Sequence, residues 1–250
     1  MVNLDWSCII CGARHNSIPN SISRETAECG VCRSTWRTRA VTLGVLNGLA
    51  ITPTPLIDVP SDWSRCGVGF DDHPSVFSSY PTKWDFVNTR LHRFPELDLL
   101  RPTDSAISAF EFAVCSDVME HVQPPYRRGL EGLLKILKPG GFAVVSVPVS
   151  GSDEMLEHFP ELKSFKILED KSLEWTDETG TRHHERDPQF HGGDGLTLEF
   201  RIFSAEGMIA DLIEAGFESA LELVSHPDLG VFDIERPGVF IARKSAAGFV

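Results

Sequence analysis

Four cysteines stand near the start of the chain in two pairs, Cys8-x-x-Cys11 and Cys29-x-x-Cys32, with 17 residues between the pairs. This spacing lies in the range of structural zinc sites. Each knuckle turns two thiolates to one side, and two knuckles supply four sulfurs at about 2.3 Å in a tetrahedron. Four sulfurs close the coordination shell, so such a metal holds structure and leaves no position for a reacting water. Gly12 and Gly30 lie beside the second and third cysteines, where the backbone has to bend. The alternative is two disulfides or four idle thiols. A segment of about 40 residues buries too little core to fold alone, and metal binding supplies the missing free energy. Five arginines (14, 24, 33, 37 and 39) against Asp5, Glu25 and Glu28 make residues 1–40 locally basic. A solvated arginine face is expected, or a surface that docks a second copy or another protein.

A second set of reactive side chains lies late in the chain, in the acidic, His-rich run DETGTRHHERDPQFHGGDG. His183, His184, Asp187 and His191 are of metal-ligating type, but their spacing matches no dedicated zinc pattern. The glycines of FHGGDG would let the backbone approach a ligand, which singles out His191, with Asp187 and Asp194 as partners. His121 is a further candidate, after a strand-like run.

These groups need a scaffold, and 250 residues provide one domain plus a small appendage. A hydrophobic fraction of 42% and a charged fraction of 24% are those of a globular chain. The net charge of −13 repels phosphate backbones and argues against general nucleic-acid binding. No apolar run reaches the 18 residues of a membrane span. MVNLDWSCII lacks the basic and apolar regions of a secretory signal, so a cytoplasmic chain without a disulfide framework is expected.

Residues 109–149 read as strand, helix and strand. Phe110, Phe112 and Val114 alternate. Leu130, Leu133, Leu134 and Leu137 form one helix face, opened by Pro124-Pro125 and stopped at Lys138-Pro139-Gly140-Gly141. FAVVSVPV is a continuous apolar strand, as in a parallel sheet. A βαβ unit of this kind implies an open α/β sheet with a crevice at the carboxyl ends of its strands. Residues 40–51 suggest a short helix or a helix-to-strand entry, and PLIDV and SRCGVGF short strands. Residues 150–200 show no clear periodicity and read as a lid or binding insertion. Ser204 caps a helix with Met208, Ile209, Leu212 and Ile213 on its apolar face, ended by Gly216; GVFIARK is a last strand.

The segment CSDVMEHVQPPYRRGLEGLLKILKPGGFAVVSVP resembles the fourth strand, following helix and fifth strand of class I S-adenosylmethionine-dependent methyltransferases, of the type 11-like kind. Glu120-His121 and the LKPGG unit match that pattern, and EAGFESALELV resembles the family's segment before its last strands. The resemblance covers roughly residues 60–245. It implies a Rossmann-like open, mostly parallel sheet with helices on both faces, residues 41–250, behind a zinc ribbon at 1–40. It also implies S-adenosylmethionine beside a structural Zn(2+), and a small-molecule acceptor, with O-methylation of a hydroxyl-bearing metabolite or sugar expected. The family's GxGxG loop is represented only by Gly67-Val68-Gly69-Phe70-Asp71, one glycine short. By position, WDFVNT is strand two, with Asn88 or Asp85 at the ribose, and FPELDLL is strand three, with Asp98 near the adenine. Cys115 and Ser116 would line the cofactor through their backbone. His191 and His121 are then candidate bases for the acceptor's proton. The rival reading is a non-catalytic scaffold with a degenerate methyltransferase fold and a docking ribbon. A dehydrogenase is disfavoured, because no G-x-G-x-x-G precedes a helix.

Overall fold

The computed structural model describes residues 5–17, 21–70, 78–190 and 197–247. In the N-terminal lobe a short antiparallel pair, β1 (Trp6–Ser7) and β2 (Arg14–His15), frames the first knuckle. Helix α1 (Trp36–Gly48) follows directly, starting four residues before the expected stretch. The reason is Thr35, whose side chain accepts a hydrogen bond from the Thr38 N–H and caps the helix. Gly44 and Gly48 are four apart on the face turned to the main sheet. A Cβ would come 2.9 Å from Val144 Cγ1 at Gly44 and 2.0 Å from Phe142 Cε2 at Gly48, so bare backbone is what lets the helix lie close.

The main sheet is built from β3 (Cys66–Phe70), β4 (Asp85–Thr89), β5 (Phe110–Ser116) and β6 (Leu137–Ser146), all parallel. Helix α2 (Arg127–Ile136) joins β5 to β6, as the βαβ reading requires. The LKPGG unit is the start of β6: Lys138, Pro139 and Gly140 form an exposed bend, with Gly140 at φ +76°. The chain then leaves the sheet as β7 (Leu156–Glu157), β8 (Leu162–Ile167), β9 (Leu173–Asp177), β10 (Arg182–Glu185) and β11 (Arg201–Ile202). It returns through α3 (Ala205–Glu214) and the strands β12 (Ser219–Glu222) and β13 (Val239–Arg243). The sheet order is β12-β13-β6-β5-β3-β4, with β13 antiparallel to β6 and β12 antiparallel to β13. This is a Rossmann-like open, mostly parallel sheet. Helix α1 covers one face; α2 and α3 cover the other.

Several local expectations are corrected. PLIDV is a 3-10 turn over Leu56–Asp58. FPELDLL forms no strand: Arg90 and Glu96 make one isolated bridge, Pro95 has no N–H to continue it, and Asp98 folds back to accept the Leu100 N–H at 2.8 Å. The sheet therefore ends at β4. Between β3 and β4 the described residues contain no α-helix, only a 3-10 turn over Tyr80–Thr82. In α3, Ser204 caps as expected, its Oγ accepting from the Gly207 N–H at 3.0 Å; Met208 and Leu212 are buried, but Ile213 is exposed. Within the insertion at 150–200, β8, β9 and β10 form an antiparallel sheet over a small core of Phe159, Leu162, Leu173, Leu198 and Phe200.

The N-terminal lobe does not stand apart from the rest. Cys8, Ile9, Cys29 and Trp36 share one buried cluster with Phe112, Val144 and Val231, and Trp36 Nε1 donates to the Phe232 carbonyl at 2.8 Å.

Candidate functional site

The four paired cysteines come together. Their sulfurs all lie within 4.8 Å of one another, with 3.6 Å between Cys8 and Cys32 and 3.7 Å between Cys11 and Cys29. A tetrahedron of Zn–S bonds has edges of about 3.8 Å, so the cluster is close to the size that a zinc ion needs. All six cysteines are free in this structure. The turns differ in detail from expectation. The left-handed residue follows the second cysteine of each knuckle, at Gly12 (φ +72°) and Arg33 (φ +63°); Gly30 is not left-handed. Polar groups surround the sulfurs: Ser34 Oγ lies 3.4 Å from Cys8 and accepts from Cys32 Sγ at 3.2 Å, and His15 Nε2 lies 3.3 Å from Cys29. A hydrogen bond from Cys8 holds the Cys32 thiol far down, at about 4. Arg39 is fully buried, and its guanidinium donates to three carbonyls, of Ala27 (2.7 Å), Ser34 (2.6 Å) and Gly230 (2.9 Å). A four-thiolate zinc centre carries two negative charges, and this cation is placed to balance them.

The carboxyl ends of the parallel strands hold the second group of candidate residues. Gly69 pairs with Asn88 on one side and Val114 on the other. Gly69, Asn88 and the Cys115–Ser116 pair therefore stand at three neighbouring strand ends, separated by about 4.8 Å per step. Thr89 Oγ1 donates to the Gly69 carbonyl at 2.8 Å and pins β3 to β4 at this edge. Gly67 lies two residues deeper. A Cβ there would fall 2.2 Å from Phe112 Cζ, so its bareness accommodates a ring. Asp98 is not on a strand but in the turn described above, and Leu99 beside it packs against Gly132 of α2.

Of the candidate bases, His191 lies outside the described residues, as do Asp194 and Asp71. His121 closes the 3-10 turn Met119–His121 after β5. Its Nδ1 is 2.8 Å from the Leu198 carbonyl, its Nε2 is 3.9 Å from the fully buried Glu120, and its ring is mostly buried. Residues 198–200 run along this turn, with the Phe200 N–H donating to the Glu120 carbonyl at 2.8 Å. The insertion is thereby anchored to the loop that leaves β5. Arg201 strengthens the anchor: fully buried, it donates to both Glu157 carboxylate oxygens and to the Met119 and Val122 carbonyls, and lies 4.5 Å over the Tyr126 ring. On the same spine stands a pair the sequence reading missed, His158 Nε2 at 3.2 Å from Glu199 Oε1. His183 and His184 are adjacent on β10 and point to opposite faces of their sheet. His183 bonds Asp177 at 2.8 Å and stacks on Trp175, so the pair cannot chelate one ion. Among the described residues, the only cluster of three or more metal-type ligands is the four cysteines.

Two arginines of the N-terminal lobe also reach the strand ends. Arg24 donates to Asp117 Oδ1 at 2.7 Å and to Ser146 Oγ at 2.6 Å. Arg37 donates to Ser116 Oγ at 2.7 Å, lies 3.1 Å from Asp117 Oδ2, and is held outside by Glu25. The solvated arginine face is thus corrected for Arg24, Arg37 and Arg39, because each finds a fixed acceptor in the body of the fold. The lobe covers the β5–β6 half of the edge.

No known family profile matches the chain, and no curated protein matches it. Solved structures with a similar course include the glycopeptide N-methyltransferase MtfA complexed with sinefungin, at 13% identity and TM-score 0.49, covering 90% of this chain and 99% of that one. Others are CalS10, an amino pentose methyltransferase from Micromonospora echinaspora (12%, TM-score 0.46, 85% and 92% covered), and a Burkholderia thailandensis 1,6-didemethyltoxoflavin-N1-methyltransferase (13%, 0.44, 82% and 78%). At these scores the functional reading rests on the chain's own residues. No helix among the described residues is long and apolar enough to cross a membrane.

Proposed function

We propose that the chain is an S-adenosylmethionine-dependent methyltransferase acting on a small acceptor, with a hydroxyl-bearing metabolite or sugar as first choice and oxygen as the atom methylated. The observation that carries this reading is the line of Gly69, Asn88 and Cys115–Ser116 across three parallel strand ends, in a chain that also holds the LKPGG bend opening the next strand. The site residues fit the cofactor in kind. Gly69 offers backbone that a ligand can approach, Asn88 offers an amide to the ribose hydroxyls, and the Cys115–Ser116 backbone forms the floor. When bound, S-adenosylmethionine supplies an already activated methyl group, so the protein's task is alignment and exclusion of water. The insertion, anchored by Arg201, covers the β5 side. His191 and His121 are the proposed proton acceptors, and His158, oriented by Glu199, is a third. Zinc in the four-cysteine site would be structural.

The second reading, a scaffold with a degenerate fold, is favoured by specific features: a turn at FPELDLL in place of the expected third strand, and arginines over the β5–β6 ends. Calorimetry with S-adenosylmethionine discriminates the two. Saturable binding supports the enzyme; no heat at millimolar cofactor overturns it. Incubation with candidate sugars and hydroxylated metabolites, read as a mass gain of one methyl group, then identifies the acceptor.

A further inference from the structure

We propose that the N-terminal lobe is a wall of the crevice: Arg24 and Arg37 are positioning residues for Ser116, Asp117 and Ser146, and metal in the four-sulfur site holds the two arginines in place. The part that concerns cofactor affinity rests on the proposed function; the mechanical part does not.

The geometry is a closed circuit. Arg24 and Arg37 flank the second knuckle, five residues before Cys29 and five after Cys32. Their segments are stitched together by backbone bonds, Arg37 N–H to the Arg24 carbonyl at 2.9 Å and Trp36 N–H to the Thr26 carbonyl at 3.0 Å. The knuckle closing this loop meets Cys8 and Cys11 at the sulfur cluster, with the Ser34–Cys8 and His15–Cys29 contacts beside it. At the far end, two guanidiniums converge on one carboxylate: the side chains of Arg24, Arg37 and Asp117 are 13%, 15% and 12% exposed. Asp117 needs such restraint. It has φ +51°, a left-handed conformation that a residue with a side chain adopts at a cost, and its N–H bridges to the Ser146 carbonyl at 2.7 Å. Ser116 and Ser146 are paired across β5 and β6. The arginines thus fix the point where both strands end, beside Gly69 and Asn88. Loss of the metal frees the loop, the loop carries the arginines away, and the strand ends loosen.

The test is amide hydrogen exchange on the intact chain, zinc-loaded and after chelation, for the wild type and an Arg24→Gln/Arg37→Gln variant. Chelation should speed exchange at residues 116–118 and 146–147 roughly tenfold or more, the loss expected for charge-assisted hydrogen bonds. The variant should show the same acceleration with zinc content and circular dichroism unchanged, and chelation should add little to it. Acceleration confined to the lobe, or no larger at residues 116–118 and 146–147 than in β12 and β13, overturns the proposal. If the double variant fails to fold, Arg24→Lys, which keeps the charge but not the fork, should give a partial acceleration at the same residues; none overturns it. In calorimetry, the folded variant should bind S-adenosylmethionine roughly tenfold more weakly. A wild type that binds no cofactor refutes the proposed function alone, and the exchange pattern still decides the circuit.

Discussion

Gly67→Ala separates packing from ligand binding at the position most tempting to assign to the cofactor. The new Cβ would lie 2.2 Å from Phe112 Cζ and 2.6 Å from both Cε atoms. Phe112 has little room to retreat. Its ring stacks between Phe86 and Phe142, each at 5.9 Å, and Trp84 meets it edge-on at 5.5 Å. Overpacking of this kind costs about 1–3 kcal/mol. For a chain of this size that is a fall in Tm of about 2–12 °C. Thermal unfolding by circular dichroism, with cofactor absent, measures it directly. Phe112→Leu alone should also destabilise, by leaving a void, but the two changes together should lose less than their sum by about 1 kcal/mol or more. Unchanged Tm in Gly67→Ala, or strict additivity in the double variant, would refute the packing argument. A variant of full stability that had lost S-adenosylmethionine would show that the cofactor lies over Gly67 after all.

Elemental analysis should find one zinc per chain, lost in Cys29→Ser. Because the lobe shares its core with the sheet, that variant should lower the Tm of the whole chain rather than melt a separate module. His191→Ala should cut turnover by roughly 100-fold or more if this residue accepts the acceptor's proton, with cofactor binding within a few-fold; unchanged turnover moves the role to His121 or His158. Glu222 is a pH probe: burial raises its carboxyl pKa, offset in part by the Gly238 N–H. The folded state therefore holds this proton more tightly than the unfolded one. Stability from this group is full below the unfolded pKa and is lost as pH rises through the folded pKa. Glu222→Gln keeps the acceptor and should raise Tm at pH 8 but not at pH 4, and an equal gain at both would contradict the sign.

What could be read from the sequence followed from how strongly each element marks its own period. The β5–α2–β6 unit was legible because α2 is strongly amphipathic and β6 runs apolar from Phe142 to Val145, and the Ser204 cap because a hydroxyl before an apolar helix face has few other uses. Helix α1 was blurred for the opposite reason: all but Arg37 and Asn47 of its 13 residues are buried, so no polar face marks the turn. The insertion hid its strands because half of β8 and most of β10 are exposed, and their polar residues mimic a loop. The expected third strand failed on two residues, Pro95 and Asp98, whose local chemistry prevailed over an apolar run.

The arginines are the instructive failure. Counted by charge, Arg24 and Arg37 belong on a solvated face, and their partners lie 79 to 122 residues away, beyond any local pattern. A signal was nevertheless present on the partner side. On β5 the face carrying Phe112 and Val114 continues to Ser116, and on β6 the face carrying Phe142 and Val144 continues to Ser146. Two buried neighbouring strands each end in a hydroxyl on the same face, and the residue after the first is an aspartate. A hydroxyl beside a carboxylate donates to it, as Ser146 Oγ does to Asp117 Oδ1 at 3.1 Å, but the buried negative charge still calls for a cation from elsewhere in the chain. In a chain of net charge −13, a basic lobe next to such a sheet is the nearest source. The arginines were thus foreshadowed by the polarity of the strands that receive them, not by their own surroundings.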